Sequence, residues 1–74
     1  MNVLLDTHVL LWWLGNLEKI SKKHLKIIVE PQNDIFVSVV SVWEIAIKRA
    51  LGKLKAPDNL RELVLKNNFR ILPI

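Results

Sequence analysis

The chain has 74 residues, of which 51% are hydrophobic, three are Trp and none is Cys. That length leaves room for one small domain, and a domain of this size buries only about 60% of the surface that its unfolded chain exposes. Without cysteine there is no disulfide framework, which suits a reducing interior, and the net charge of +4 favours polyanionic partners, nucleic acid or an acidic peptide, without choosing between them.

So apolar a composition usually belongs to a larger core, and the chain is therefore expected to pair with another chain or to be a piece of a bigger domain. Its longest uncharged run, Thr7 to Leu17, is too short for a bilayer, which needs about 20 apolar residues. No basic cluster precedes an apolar segment in the manner of a signal peptide. A soluble cytoplasmic protein is expected.

The first stretch, Asn2 to His8 (NVLLDTH), is a short Val/Leu run that stops at a carboxylate. It reads as a buried strand with Asp6 at its carboxyl end, where open α/β sheets place their ligands. Thr7 is expected to cap a helix that begins at His8, with Leu10, Trp13 and Leu14 on one face and Gly15 supplying a left-handed end. His8 beside Asp6 is either a metal ligand or base, or a partly exposed first-turn histidine; the second is the commoner arrangement.

Ser21 is expected to cap a second helix that runs to about Glu30, with Leu25, Ile28 and Val29 inward and Lys22, Lys23 and Lys26 outward. The lysines make a solvated face or a track for phosphates. Pro31 ends this helix, and after a polar turn Ile35 to Val40 (IFVSVV) reads as a central strand. Strand, helices and strand in this order suit a parallel pair with a right-handed crossover, which brings Asp6 and the end of the second strand to one rim.

Ser41-Val-Trp-Glu44 has the spacing of a capping box, and Glu44 stands four residues before Lys48, the favourable order for a helical ion pair. Both are local uses for Glu44 that compete with a functional one. Trp43, Ala46, Ile47, Ala50 and Leu51 form an apolar stripe that Val42 and Ile45 widen, so this helix is expected to be largely buried, with Glu44 on its narrow polar strip. Gly52 closes the helix, and Lys53 to Pro57 make a basic connector. Asp58 or Asn59 caps a last helix with Leu60, Leu63 and Val64 inward, Asn67 and Asn68 end it, and Phe69 to Ile74 (FRILPI) alternates like a third strand up to Pro73.

Together, NVLLDTHVLLWWL, FVSVVSVWEIAIKRALGKL and NNFRILPI resemble the amino-terminal half of a PIN domain, of the VapC ribonuclease-toxin type found in bacterial toxin–antitoxin modules. The resemblance covers essentially the whole chain. It implies an α/β fold, a PIN-like three-layer α/β/α arrangement with a parallel sheet, of which residues 1–74 supply the amino-terminal portion, about three strands and four helices, with the carboxyl-terminal portion absent. It also implies four acids at the carboxyl rim that bind Mg²⁺ or Mn²⁺ for hydrolysis of an RNA phosphodiester. The first of these falls on Asp6 and the second on Glu44, with Thr7 and Ser41 as their supporting polar residues.

The family's third and fourth acids lie further along than this sequence reaches, so the chain alone is expected to be inactive. Lys48, Arg49 and Lys53 could meet RNA or an acidic segment of a cognate antitoxin. The family's sheet order places the first strand centrally, so its free edge here invites a second copy, and a homo-oligomer is expected. The alternative is a non-catalytic PIN relic that dimerises or binds an antitoxin through its hydrophobic helices. A basic nucleic-acid-binding module without catalysis ranks below both, since neither helix-turn-helix spacing nor an aromatic platform is visible.

Overall fold

Residues 1–73 are described by the computed structural model, and Ile74, the last residue of the expected third strand, lies outside the described residues. Strands β1 (Asn2–Leu5), β2 (Asp34–Ser38) and β3 (Arg70–Leu72) form one parallel sheet in the order β1-β2-β3. Helices α1 (Thr7–Gly15) and α2 (Lys22–Val29) connect the first pair, and α3 (Val39–Ala50) and α4 (Leu60–Lys66) connect the second. Both crossovers step the same way across the sheet, so right-handed connections put all four helices on one face.

Period-two alternation explains which strand residues meet them. Leu5, Ile35 and Val37 are buried under the helices, where Leu10, Ile45 and Val64 complete the centre of the core. Leu4, Phe36 and Leu72 point the other way, and Leu4 remains 61% exposed. Of three α/β/α layers, the described residues thus build the sheet and one helical layer. Among the described residues no helix is long and apolar enough to cross a membrane.

Several local expectations need correcting. Asp6, not Thr7, caps α1: its backbone is extended (φ −66°, ψ 153°) and its carboxylate accepts the His8 N–H at 3.2 Å. Gly15 lies inside α1 without a positive φ, and Asn16 ends the helix by donating its N–H to the Trp12 carbonyl at 2.7 Å. Helix α2 is capped by Ser21 as expected, but it is centred on Ile28. That rotation leaves Ile27 and Val29 off to either side, and Ile27 meets the β1 edge around a hollow of about 260 Å³ while Val29 is exposed.

The largest departure is at α3. Strand β2 stops at Ser38, two residues early, because the Ser38 hydroxyl accepts the Val40 N–H at 3.1 Å and starts the helix there. Ser41 is then already inside α3, so the capping box with Glu44 does not form. Nor is the helix largely buried: Val42 and Ile45 pack inward, whereas Trp43, Ile47 and Leu51 are 52%, 60% and 63% exposed. Apolar residues extend more than halfway round α3, and a single layer of neighbours covers only one side of it.

Candidate functional site

Register fixes the rim. Leu5 pairs with Val37, so the next residues, Asp6 and Ser38, leave the sheet side by side at its carboxyl edge. Each serves as a helix cap, Asp6 for α1 and Ser38 for α3, because both strands turn into a helix with a single capping residue between or at the junction. Two helix N-termini therefore open at the same edge, where their free N–H groups and positive dipole ends favour negative charge.

The Asp6 side chain is 70% exposed, and beside the His8 N–H that it accepts lies His8 Nδ1, 3.4 Å from Oδ2. One residue on, Thr7 Oγ1 donates to Ser41 Oγ at 2.8 Å in a half-buried contact between α1 and α3. Glu44 follows Ser41 by three residues and so shares its face of α3, about 4.5 Å further along the axis. Its side chain is 48% exposed, with Oε2 3.9 Å from Lys48 Nζ, so the expected helical ion pair is present. Asp6, Thr7 and Ser41 thus lie at the starts of α1 and α3, and Glu44 lies one turn further into α3.

The basic candidates sit elsewhere. Arg49 Nε donates to the Ala56 carbonyl at 2.8 Å, which ties the connector to α3. The Lys53 backbone N–H donates to the Lys48 carbonyl at 2.9 Å at the far end of that helix. At 1.5 Å per residue, Arg49 lies about 15 Å along α3 from its first residue. Only Lys48, through Glu44, approaches the acids.

Ser38 was not among the expected site residues. Its signal was the first serine in SVVSVWE: either serine can cap, and the β-branched pair Val39-Val40 favoured the later one.

The donor set is all oxygen, two carboxylates and two hydroxyls, which suits a hard cation such as Mg²⁺ that binds through one or two carboxylates and keeps several waters. No group of three or more His, Cys, Asp or Glu placed to hold a metal occurs among the described residues. A family model described as PIN domain matches residues 3–74. No curated protein and no solved structure matches the chain.

Proposed function

The chain belongs to the PIN domain family, whose members are generally nucleases, and on that premise we propose that it is a metal-dependent endoribonuclease, the VapC-type toxin of a toxin–antitoxin module. The observation that carries this reading is the Thr7–Ser41 hydrogen bond, which joins the first turns of α1 and α3, next to the cap residue Asp6 and one turn before Glu44.

In this reading the carboxylates of Asp6 and Glu44 hold Mg²⁺ or Mn²⁺, with Thr7 and Ser41 in support. When bound, such an ion supplies Lewis-acid activation of water and charge stabilisation of the leaving oxygen. The chain's own groups do the rest. The His8 N–H orients the Asp6 carboxylate. Ser41, having accepted from Thr7, retains its own proton to donate to a carboxylate or a water. The N-termini of α1 and α3 favour the phosphate charge at the rim. Glu44 must turn from Lys48 to join Asp6, which costs little because exposed ion pairs contribute about 0.5 kcal/mol.

Two carboxylates make a thin metal set, and fuller clusters normally support phosphodiester hydrolysis. Cleavage supported by Asp6 and Glu44 alone is therefore weak or absent. RNA is the substrate, and a cognate antitoxin is the regulating partner.

Incubation of a single-stranded RNA with Mg²⁺ or Mn²⁺ tests the reading. Cleavage that disappears both with EDTA and in Asp6→Asn supports it, and cleavage that survives both removes the metal mechanism. The second reading, a non-catalytic module that dimerises or binds an antitoxin, is favoured by the exposed Trp43, Ile47 and Leu51.

A further inference from the structure

Beside the rim, a groove of about 300 Å³ runs between α1 and the connector of residues 53–57, lined among others by His8, Trp12, Lys19, Lys55 and Pro57. We infer that this groove is a nucleobase subsite for single-stranded RNA, with Trp12 as the stacking surface and Lys19 and Lys55 as phosphate contacts. The inference rests on the ribonuclease reading and names where its substrate lies.

Four observations meet here. First, His8 and Trp12 are four residues apart on one face of α1, with ring centroids 6.4 Å apart. The groove therefore begins at the histidine whose Nδ1 is 3.4 Å from Asp6 and continues directly to the indole. Second, the facing wall of Leu54, Ala56 and Pro57 is half-buried and anchored by the Arg49–Ala56 bond of 2.8 Å, so the slot is formed before any ligand arrives. Third, Lys19 and Lys55 are exposed, and none of the described residues that line the groove is acidic. Fourth, the walls are apolar and partly aromatic while the cations are exposed to solvent.

An apolar slot with an aromatic wall and cations on flexible stems matches a flat base linked to an anionic backbone. Single-strand binders use this combination, stacking bases on aromatic rings while basic side chains track the phosphates. The adjacent acids would then meet a phosphate next to the held base. The hollow above the sheet, lined by Asn2, Val3, Leu4, Phe36 and Leu72, offers no cation and does not fit the same ligand.

The test is binding of a fluorescently labelled short oligoribonucleotide to the full chain in EDTA, which separates binding from cleavage. Trp12→Leu is expected to weaken binding about five- to a hundredfold, and Trp12→Phe to restore most of it. An oligonucleotide made abasic throughout should bind the native chain more weakly by a similar factor but lose little further on Trp12→Leu. Lys19→Gln and Lys55→Gln, both at exposed positions, should each reduce the slope of log affinity against log salt by about 0.7.

Native-like binding by a folded Trp12→Leu, or equal abasic losses in native and variant chains, overturns the subsite. So do unchanged salt slopes in both lysine variants, which stand even if Trp12→Leu fails to fold. Asp6-dependent cleavage that ignores Trp12 would sink the subsite and leave the ribonuclease reading intact. Trp12-dependent binding in a chain that shows no Asp6-dependent Mn²⁺ binding would support the subsite and count against the metal mechanism.

Discussion

Thr7 Oγ1 donates to Ser41 Oγ at 2.8 Å across 34 residues of sequence, joining the first turn of α1 to that of α3. Both residues are half-buried, so loss of the donor leaves the Ser41 oxygen poorly solvated. Thr7→Val is expected to cost about 1 kcal/mol, which lowers Tm by about 4–8 °C for a domain of this size. Thr7→Ser should retain the bond and the Tm. Calorimetry of the three chains decides, and an unchanged Tm in Thr7→Val would show that this contact does not hold the helices together.

Asp6 does two jobs that a pair of substitutions can separate. As a cap, it is replaceable by Asn, whose side-chain oxygen accepts the same N–H, whereas Ala forfeits the bond at a cost of about 1 kcal/mol. As a ligand for a hard cation it is not replaceable by Asn, which carries no charge. Asp6→Asn is therefore expected to melt like the native chain but to lose Mn²⁺ binding in a titration, and Asp6→Ala to lose both. Native-like Mn²⁺ affinity in Asp6→Asn would reduce Asp6 to a cap.

Much of this site was legible in the residues before the fold was known, for a physical reason. A buried parallel strand is a continuous apolar run, so its end is marked by the first polar residue, and Asp6 is that residue after Val3, Leu4 and Leu5. Parallel order and a common rim follow from two such runs separated by helical patterns. What was not legible depended on contacts between distant segments. The choice between Ser38 and Ser41 as cap turned on where β2 runs out of a partner: β3 pairs only as far as Ser38 with Leu72. The side of α3 that faces inward depended on how many layers cover it, because the stripe through Trp43 and the pair Val42–Ile45 are equally apolar in sequence. Trp12 lay outside the face formed by Leu10, Trp13 and Leu14, and only the return of the connector at Ala56 places a wall opposite it.

The Glu44–Lys48 pair is exposed at both ends, 48% and 54%, with a separation of 3.9 Å. Such pairs contribute about 0.3–0.5 kcal/mol in helices. Lys48→Gln should therefore leave Tm almost unchanged while freeing Glu44 to turn toward Asp6, so that Mn²⁺ binds somewhat more tightly. Glu44→Gln should also melt normally but bind Mn²⁺ more weakly. If Lys48→Gln weakens Mn²⁺ binding instead, the lysine orients Glu44 rather than competing for it.

The two glycines are predicted to respond oppositely to alanine. Gly15 is helical without a positive φ, and a Cβ there meets nothing within 4 Å. Gly15→Ala should stabilise the chain by about 0.5–1 kcal/mol, the helix-propensity difference. Gly52 also has open space, but its φ is +72°, so Gly52→Ala should cost about 1 kcal/mol through the left-handed backbone alone. Equal and opposite Tm shifts in the two variants would fit. Loss of stability in Gly15→Ala would mean that α1 needs a flexible last residue.

Val40, Trp43, Ile47 and Leu51 lie along one line of α3 and its cap residue, and their exposures of 53%, 52%, 60% and 63% make a continuous apolar strip. Soluble monomers seldom carry such strips uncovered. Because the strip itself carries no charge, it matches an identical strip on a second copy related by a two-fold axis, the commonest way for one surface to cover itself. Ile47→Lys places a charge in the middle of that strip, leaves Val42 and Ile45 in the core, and uses a good helix former. Sedimentation should show concentration-dependent association of the native chain that the variant lacks, while the variant's Tm at low concentration stays native or nearly so. A monomer in both chains at the highest concentration reached would mean that the strip does not mediate self-association, and a variant that fails to fold would mean that Ile47 supports the core despite its exposure.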